Sequence, residues 1–390
     1  MLDHARRFDA PDLTSIACPE QEIENADVEP KLLAAIEAAY KRIRDFHDAQ
    51  FGVFTSGLQN HAEHGLFWQI DSQTRLGQRY LALSSAGLYV PGGLAAYPSS
   101  VLMLGGPAKS AGLDNLVLTT PAKRDGLLPS SVLAGIRTVG IKQVIKVGGA
   151  SAIAALALGT ESIPRVDKIV GPGNKFVNEA KRQLWGTVGL DGYAGPSEVC
   201  MMLDDSANLK YAAADLITQI EHAPDNAAYV VSVSRELVNA LMVEVERQVA
   251  GGPREEILRA CLLNESVAFV ARDLAEACEV VNEIAPEHLT LSVKDPEKLL
   301  GEIQNAGCIL MGELTPESVA DYCLGPSHTL PTAGAVRFGS PINVLDFLKV
   351  QSVANLTRLQ LDPLIELAQA LGEAEGLPAH AYGATVRRER

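Results

Sequence analysis

The chain has 390 residues and a formal net charge of −15, with 47% hydrophobic and 21% charged residues. This length predicts two domains and an appendage, and the composition is that of a globular protein rather than a disordered or fibrous one. The acidic charge argues against nucleic acid as a partner, because it repels a phosphate backbone. No apolar run approaches the roughly 20 residues of a membrane span, and the charged N-terminus is no signal peptide, so we expect a cytoplasmic protein without a membrane partner.

The first part of the chain predicts a long helix and then alternating strands and helices. Residues 31–50 have apolar side chains at helical spacing with charges opposite them, which predicts an amphipathic helix. From about residue 89, short apolar strands at 116–120, 143–147 and 168–170 alternate with Ala-rich helices. This repeated order of strand, glycine turn and helix predicts a parallel sheet covered by helices.

A second alternation of strands and helices follows. Strands are predicted at residues 199–203, 228–234, 267–270, 289–293 and 308–311, with helices between them. This is enough material for a second sheet. Residues 343–390 are predicted to be helical, with Leu and Ala at core spacing, but they are too few for a domain. They must therefore pack on this chain or on a partner.

Two glycine turns are candidates for binding a phosphate group. Residues 148–151 (Gly-Gly-Ala-Ser) and 171–174 (Gly-Pro-Gly-Asn) each follow a predicted strand and begin a helix. The N-terminus of a helix attracts anions. The chain has no G-x-G-x-x-G, however, and glycine also serves the tight turns of any α/β fold. The pattern leaves both interpretations open.

Histidines in the C-terminal half of the chain lie close to acidic or amide side chains. Gln219 and His222 are three residues apart, which in a helix places them on one face, and Pro224 ends that helix. Glu287 and His288 are adjacent between a predicted helix and a predicted strand. A carboxylate beside an imidazole suits general acid–base chemistry, because histidine titrates near neutral pH.

Two further pairs of this kind follow. Asp321 precedes His328, and Glu375 precedes His380. Imidazole nitrogens, carboxylates and an amide oxygen together fit Zn²⁺ or Mn²⁺ rather than copper or an iron–sulfur cluster. Each pair alone is compatible with a solvated polar surface. Four such pairs confined to one half of the chain predict a functional site.

Taken in order, these motifs resemble the histidinol dehydrogenase family. The matching segments, which together cover essentially the whole chain, are residues 87–93, 97–103, 146–150, 169–174, 194–198, 219–222, 286–289, 316–318, 325–331 and 375–380. The resemblance implies an α/β fold with two Rossmann-like parallel-sheet domains and a helical C-terminal tail. The implied domains are residues 1–88 plus 197–342, an inserted NAD-binding domain at 89–196, and a dimerisation tail at 343–390.

The resemblance also implies an activity: oxidation of L-histidinol to L-histidine through the aldehyde, the last step of histidine biosynthesis, with two NAD⁺ reduced in sequence. Glu287 and His288 would be the catalytic acid–base residues. His288 would take the hydroxyl proton, and Glu287 would activate the water of the second oxidation. No cysteine is assigned a catalytic role. The ligands of one Zn²⁺ per subunit, which would orient the substrate, would be Gln219, His222, Asp321 and His380.

Further binding residues follow from the same resemblance. The substrate would contact Ser197, His328 and Glu375, together with His288 and the four zinc ligands. NAD would contact Tyr89, Ser151 and Asn174, although Ser151 stands where the family usually has a glutamine. The family forms homodimers whose C-terminal tail reaches the partner's active site, so His380 would complete a shared site. The resemblance also implies that the family's leading helical segment would come before the first residue of this sequence.

Three alternatives remain open at this level. A related NAD-dependent dehydrogenase would act on another small polyol, such as a sulfonated propanediol, but residues 93–100 and Glu375 favour a substrate with an amine. A zinc hydrolase on an α/β scaffold would need no dinucleotide. A non-catalytic dimeric binding protein would not need Glu287 and His288.

Overall fold

The structure, a computed structural model, describes residues 1–56, 59–61, 65–69, 76–92, 96–192 and 194–388. The chain divides into two compact units. The larger unit comprises Met1–Phe51 and Leu83–Phe347, and the smaller one comprises Gly52–Ala82 and Leu348–Arg390. Within the described ranges, no helix is both long and apolar enough to cross a membrane. The first three residues of the 93–100 segment, which favoured an amine-bearing substrate, lie outside the described residues.

The elements of the described chain are numbered in chain order. The strands are β1 Gln59–His61, β2 Gly65–Gln69, β3 Gly77–Ala82, β4 Ala86–Tyr89, β5 Leu116–Thr119, β6 Gln143–Ile145, β7 Lys168–Val170, β8 Gly189–Leu190, β9 Glu198–Leu203, β10 Ala227–Ser232, β11 Val267–Val270, β12 His288–Ser292, β13 Cys308–Met311 and β14 Leu348–Val353. The α-helices are α1 Leu2–Phe8, α2 Glu20–Glu24, α3 Pro30–Thr55, α4 Pro98–Ser110, α5 Ser130–Val139, α6 Gly149–Leu158, α7 Lys175–Gln183, α8 Leu209–Ile220, α9 Arg235–Val249, α10 Glu255–Asn264, α11 Leu274–Ile284, α12 Glu317–Tyr322, α13 Arg358–Ala374 and α14 Pro378–Thr385. Short 3₁₀ turns lie at Pro296–Leu299, Ala335–Arg337, Val344–Phe347 and Val386–Arg388.

The first sheet of the larger unit is parallel and has the strand order β6-β5-β4-β7-β8. The chain starts in the middle of the sheet at β4, adds β5 and β6 on one side, and then adds β7 and β8 on the other side of β4. This is the Rossmann strand order. It leaves a crevice at the carboxyl ends of β4 and β7, where the direction of strand addition changes. Gly171, which follows β7, has φ +123°. A Cβ atom there would lie 2.1 Å from the backbone oxygen of Tyr89, so only glycine allows the two strand ends to approach this closely.

The second sheet of the larger unit repeats this topology with the order β11-β10-β9-β12-β13, again parallel. Its three central strands, β9, β10 and β12, are buried on both faces. Val199 and Met201 pack with α8, α9 and α10, whereas Cys200 and Met202 pack on the side of α11. This is the alternation expected of a strand covered on both sides. Two parallel sheets and a helical C-terminus confirm the predicted α/β fold class.

The start of β12 is positioned by the end of α11. The side chain of Asp273 caps α11 by accepting a hydrogen bond from the Glu276 N–H. The helix ends at Ala285, whose φ of +52° reverses the chain direction. The chain then enters β12 at His288, which lies opposite Val199 of β9 and Cys308 of β13. The Glu287-His288 pair therefore lies at the amino edge of the second sheet.

The smaller unit contains an antiparallel sheet of order β1-β2-β3-β14 and the packed helices α13 and α14. The prediction that residues 343–390 are helical is wrong for Leu348–Val353, which pairs with β3. This pairing joins segments more than 250 residues apart in sequence, and helical periodicity carries no information about it. The predicted domain boundaries stay a prediction. The boundary predicted between residues 88 and 89 falls inside β4, which begins at Ala86.

Candidate active site

The candidate active site lies at the amino edge of the second sheet. Neighbouring parallel strands begin at the same edge, so Ser197 and Glu198 at β9 lie beside Glu287 and His288 at β12. The short helix α12 adds two carboxylates, Glu317 and Asp321, which are four residues apart and thus on one helical face. The last turn of α8 adds Gln219.

His288 is the centre of this cluster, and its side chain is enclosed by carboxylates. Its Nε2 lies 3.6 Å from Asp321 Oδ1 and 4.0 Å from Glu317 Oε2, and its Nδ1 lies 3.7 Å from Glu287 Oε2. Only 2% of the residue is exposed. Its Nδ1 is a buried atom without a hydrogen-bond partner among the described residues. A buried polar atom normally has a partner, so the unpaired Nδ1 marks His288 as a candidate functional residue.

The carboxylates control the protonation of His288. Burial by itself lowers the pKa of this imidazole, but the negative charges of Glu287, Glu317 and Asp321 outweigh it and raise the pKa to about 10. Burial raises the pKa of Glu317 to about 7, with the charge of His288 opposing the shift. Histidine and carboxylate groups whose pKa values are shifted this far by burial and by neighbouring charges are characteristic of acid–base sites.

Glu287 is oriented from the neighbouring strand. Its Oε2 accepts a hydrogen bond from the Glu198 backbone N–H at 3.0 Å. The Glu198 carboxylate in turn accepts the Ala333 N–H at 3.3 Å. Burial, followed by repulsion from Glu287, raises the pKa of Glu198 to about 7. The Glu287 carboxylate therefore lies close enough to Glu198 to favour the protonated form of that residue.

Two of the predicted zinc ligands are in direct contact. Gln219 Nε2 donates to Asp321 Oδ2 at 2.9 Å and to Glu317 Oε2 at 3.4 Å. Asn226, which is buried, links Gln219 to Ser197. Its Nδ2 donates to the Gln219 backbone oxygen and its Oδ1 accepts the Ser197 N–H, both at 3.0 Å. An amide and a carboxylate held together among further carboxylates fit a divalent cation in donor type and in charge.

The other predicted ligands are placed differently. His222 lies in the turn after α8, rather than on the helix with Gln219, and is exposed. Its backbone oxygen accepts a hydrogen bond from Arg254 Nη2 at 3.2 Å. Glu375 and His380 belong to the smaller unit, where both are exposed. In the part of the chain that the structure describes, no group of three or more His, Cys, Asp or Glu side chains is spaced to hold a metal ion.

His328 is fixed by two hydrogen bonds. Its Nδ1 lies 2.7 Å from the Asp321 backbone oxygen, and its Nε2 lies 3.3 Å from Ser100 Oγ. A carbonyl oxygen only accepts, so Nδ1 carries the hydrogen and Nε2 accepts from the serine hydroxyl. Burial is the main cause that lowers the pKa of His328, which favours the neutral ring. His328 is thus hydrogen-bonded to the backbone of Asp321, whose side chain contacts Gln219.

The three predicted NAD contacts lie at the carboxyl edge of the first sheet. Tyr89, at the end of β4, accepts the Gly149 N–H on its Oη at 3.1 Å. Ser151, in the first turn of α6, donates from Oγ to the Gly148 oxygen at 3.2 Å. Asn174 caps α7 through its side-chain oxygen. All three are at the edge where a Rossmann sheet opens its crevice.

Sequence reasoning missed several residues of the cluster, and it gave no role to the neighbouring Cys308. Glu317, Glu198 and Asn226 received no role, although the four-residue spacing of Glu317 and Asp321 was a usable signal. Cys308 lies opposite His288 in the sheet. Burial and then the surrounding carboxylates raise the pKa of its thiol to about 12, so it is a poor nucleophile at neutral pH.

A Rossmann-order sheet together with a buried acid–base cluster is the arrangement expected of an α/β enzyme that uses a dinucleotide, such as an oxidoreductase. The model of the family described as histidinol dehydrogenase matches residues 1–388. The chain is 43% identical over 386 residues to histidinol dehydrogenase of Halalkalibacterium halodurans, covering 98% of this chain and 88% of that one. It is 42% identical over 389 residues to the Bacillus subtilis enzyme, covering 99% and 88%.

The solved structures agree with this result. A crystal structure of histidinol dehydrogenase from Elizabethkingia anophelis matches with a TM-score of 0.91 at 33% identity, covering 100% of this chain and 88% of that one. The chain belongs to the histidinol dehydrogenase family, and it is an oxidoreductase. The resemblance seen in the sequence is confirmed.

Proposed function

We propose that this protein oxidises L-histidinol to L-histidine through the aldehyde, in two NAD-dependent hydride transfers, as the last step of histidine biosynthesis. The observation that carries the proposal is the buried His288, whose Nδ1 has no hydrogen-bond partner among the described residues and whose ring is surrounded by carboxylates. The names of the relatives supply the substrate.

In the first oxidation, His288 takes the proton of the substrate hydroxyl while the carbinol carbon gives a hydride to NAD⁺. The imidazole must be neutral for this step. Positive charge that enters the site, from the substrate or from a bound divalent cation, would offset the carboxylates that hold the proton on His288 and lower the pKa of the base. The aldehyde stays bound.

In the second oxidation, Glu287 takes a proton from water, whose oxygen adds to the aldehyde carbon. The protonated His288 left by the first step returns its proton to the carbonyl oxygen, which completes the hydrate and makes His288 neutral again. His288 then takes a hydroxyl proton while the second hydride leaves, and the product is the carboxylate. The hydrogen bond from the Glu198 N–H supports this role for Glu287, because it fixes the orientation of the carboxylate beside His288.

We propose that Gln219, His222, Asp321 and His380 hold one Zn²⁺ per subunit. The contact between Gln219 and Asp321, and the surplus of buried carboxylates around them, support these two residues as ligands. When bound, the ion would supply a fixed attachment for the imidazole and amine of the substrate. The chain's own residues then align the carbinol carbon, and Ser197, His328 and Glu375 are the proposed substrate contacts.

For NAD, the proposed contacts are Tyr89, Ser151 and Asn174. Their common position at the carboxyl edge of a Rossmann-order sheet supports this assignment. The glycine turns that begin α6 and precede α7 bring backbone N–H groups to the same edge, where a pyrophosphate would bind.

We propose a homodimer with shared active sites. Helix α13 exposes Leu359, Leu367 and Leu371, with 80%, 61% and 64% of each residue accessible to solvent. Their spacing in multiples of four places them on one face, and an apolar face of this kind suits a partner subunit. The exposed Glu375 and His380 are then available to the partner's site. A cytoplasmic location, and the lack of nucleic-acid and membrane partners, stay predictions from the sequence.

The test is NADH formation, followed by absorbance at ~340 nm, with the purified protein, NAD⁺ and L-histidinol. Two NADH are expected per histidinol consumed, with histidine as the product. A sulfonated propanediol is the comparison substrate. NADH formation with that diol and not with histidinol would favour the polyol dehydrogenase, and no NADH from zinc-loaded protein with either substrate would refute the proposal.

A further inference from the structure

Glu317 is the most deeply buried carboxylate of the cluster, and the steps proposed above give it no role. None of its surface is exposed. Its Oε1 accepts a hydrogen bond from Thr290 Oγ1 at 2.7 Å, and its Oε2 accepts from Gln219 Nε2 at 3.4 Å. Its backbone N–H donates to Asp215 Oδ1 at 3.3 Å. A side chain held on both oxygens is suited to orienting a neighbour.

That neighbour is the amide of Gln219. The side-chain nitrogen of a glutamine has two hydrogens and cannot bind a cation, whereas the amide oxygen can. Here the nitrogen faces two carboxylates, of Asp321 and Glu317. Rotating the amide by half a turn would place its oxygen against those negative charges. The two carboxylates therefore fix which end of the amide is presented to a cation.

We propose that Glu317 is a positioning residue that acts through Gln219, orienting its amide oxygen toward the divalent cation. Asp321 alone does not suffice for this role, because it is itself a proposed ligand and its charge is shared with the cation. Glu317 is outside the proposed ligand set, so its hydrogen bond to Gln219 persists when the cation binds. This proposal rests on the proposed zinc site.

Two substitutions separate orientation from charge. Glu317→Asp keeps the negative charge but withdraws the carboxylate by one methylene from Gln219, and Glu317→Gln keeps the shape but removes the charge. A hydrogen bond from a residue outside the ligand set to a metal ligand typically contributes about 10–100-fold to metal affinity. We expect both variants to lose affinity for Zn²⁺ within that range.

The experiment measures Zn²⁺ binding to the full chain by competition with a chromophoric chelator, independently of turnover. Each Glu317 variant is made in the native background and in Gln219→Ala. If Glu317 acts through Gln219, its substitution costs little further affinity once Gln219 is gone. Melting temperatures of the metal-free variants check folding, and Glu317→Asp serves if Glu317→Gln does not fold.

Several results would overturn the proposal. Equal losses in both backgrounds would show that Glu317 acts as a ligand or by its charge alone, and native affinity in Glu317→Asp would show that its position is unimportant. Failure of the unsubstituted chain to bind Zn²⁺ would remove both this proposal and the zinc site. Tight Zn²⁺ binding without histidinol oxidation would refute the proposed function and leave this proposal standing.

Discussion

Lys181 and Asp191 form a buried ion pair that fixes the glycine turn after β7. Their side chains are 3% and 7% exposed, and Lys181 Nζ lies 2.8 Å from Asp191 Oδ1. Lys181 Nζ also donates to the Gly171 oxygen, and Asp191 Oδ2 accepts the Gly171 N–H, both at 2.6 Å. The pair therefore holds the peptide groups on both sides of Gly171, at the edge proposed to bind NAD.

Replacing Lys181 with Met should destabilise the protein and weaken NAD binding. The substitution leaves Asp191 buried without its cation and the Gly171 oxygen without a donor. Breaking a buried pair in this way costs about 3–5 kcal/mol, which lowers the melting temperature by on the order of 10 °C. Because the turn moves while the His288 cluster belongs to the other sheet, KM for NAD⁺ should rise about tenfold or more with little change in KM for histidinol.

The matched controls use the same region of the chain. Lys181→Met combined with Asp191→Asn removes both charges and should recover most of the lost stability, because no unpaired charge remains buried. Arg182→Met removes the neighbouring pair with Glu179, whose side chains are 74% and 46% exposed, and should change stability by less than about 1 kcal/mol. A native melting temperature and an unchanged KM for NAD⁺ in Lys181→Met would refute the reasoning.

Four further predictions concern the second sheet. His288→Ala should keep Zn²⁺ in metal analysis but lose about 10²–10⁴-fold in kcat, whereas His222→Ala should lose Zn²⁺; full metal occupancy in the latter would contradict the ligand set. Cys308→Ser should keep kcat, because its thiol pKa of about 12 leaves it protonated; a large loss would show that the thiol reacts. The raised pKa of Glu198, about 7, means that the folded chain holds a proton that the unfolded chain releases near pH 4.5, so stability falls as the pH rises between those values. Glu198→Gln should therefore lose less melting temperature than the native chain between about pH 5 and about pH 8, and equal losses would contradict the shift.

The elements best predicted from the sequence are those whose ends are fixed locally. The helix predicted between the strands at 267–270 and 289–293 is found at Leu274–Ile284, and the strand predicted at 308–311 is found at Cys308–Met311. Asp273 caps the helix and Ala285 ends it, so both boundaries depend on nearby residues. β14 was missed because it is half exposed and depends on a partner strand far away in sequence.

The same distinction applies to the candidate site. His288, Glu287 and Gln219 are recognisable by residue type and spacing, and the structure places all three at one edge of the second sheet. The contributions of Glu198 and Glu317 depend on which strand starts lie side by side and on how far one side chain reaches another. Such distances follow from packing between distant segments, which one sequence does not display.

The two sheets share one strand order but differ at their edges, and this difference explains how one topology can serve two roles. At the carboxyl edge of the first sheet, Asn174 caps α7, whereas α6 begins at Gly148 without a side-chain cap. The Gly149 N–H donates to Tyr89 Oη, so the N–H groups that follow it in the first turn of α6 are the ones that can meet a phosphate. At the same edge of the second sheet, Asn208, Ser234 and Asp273 cap α8, α9 and α11 with their own side chains. Asp204 adds a carboxylate there that accepts the Lys294 N–H. With these caps and the Asp204 carboxylate, the carboxyl edge of the second sheet is less suited to an anion than that of the first, and the candidate acid–base cluster lies at the amino edge, where His288 and the carboxylates meet.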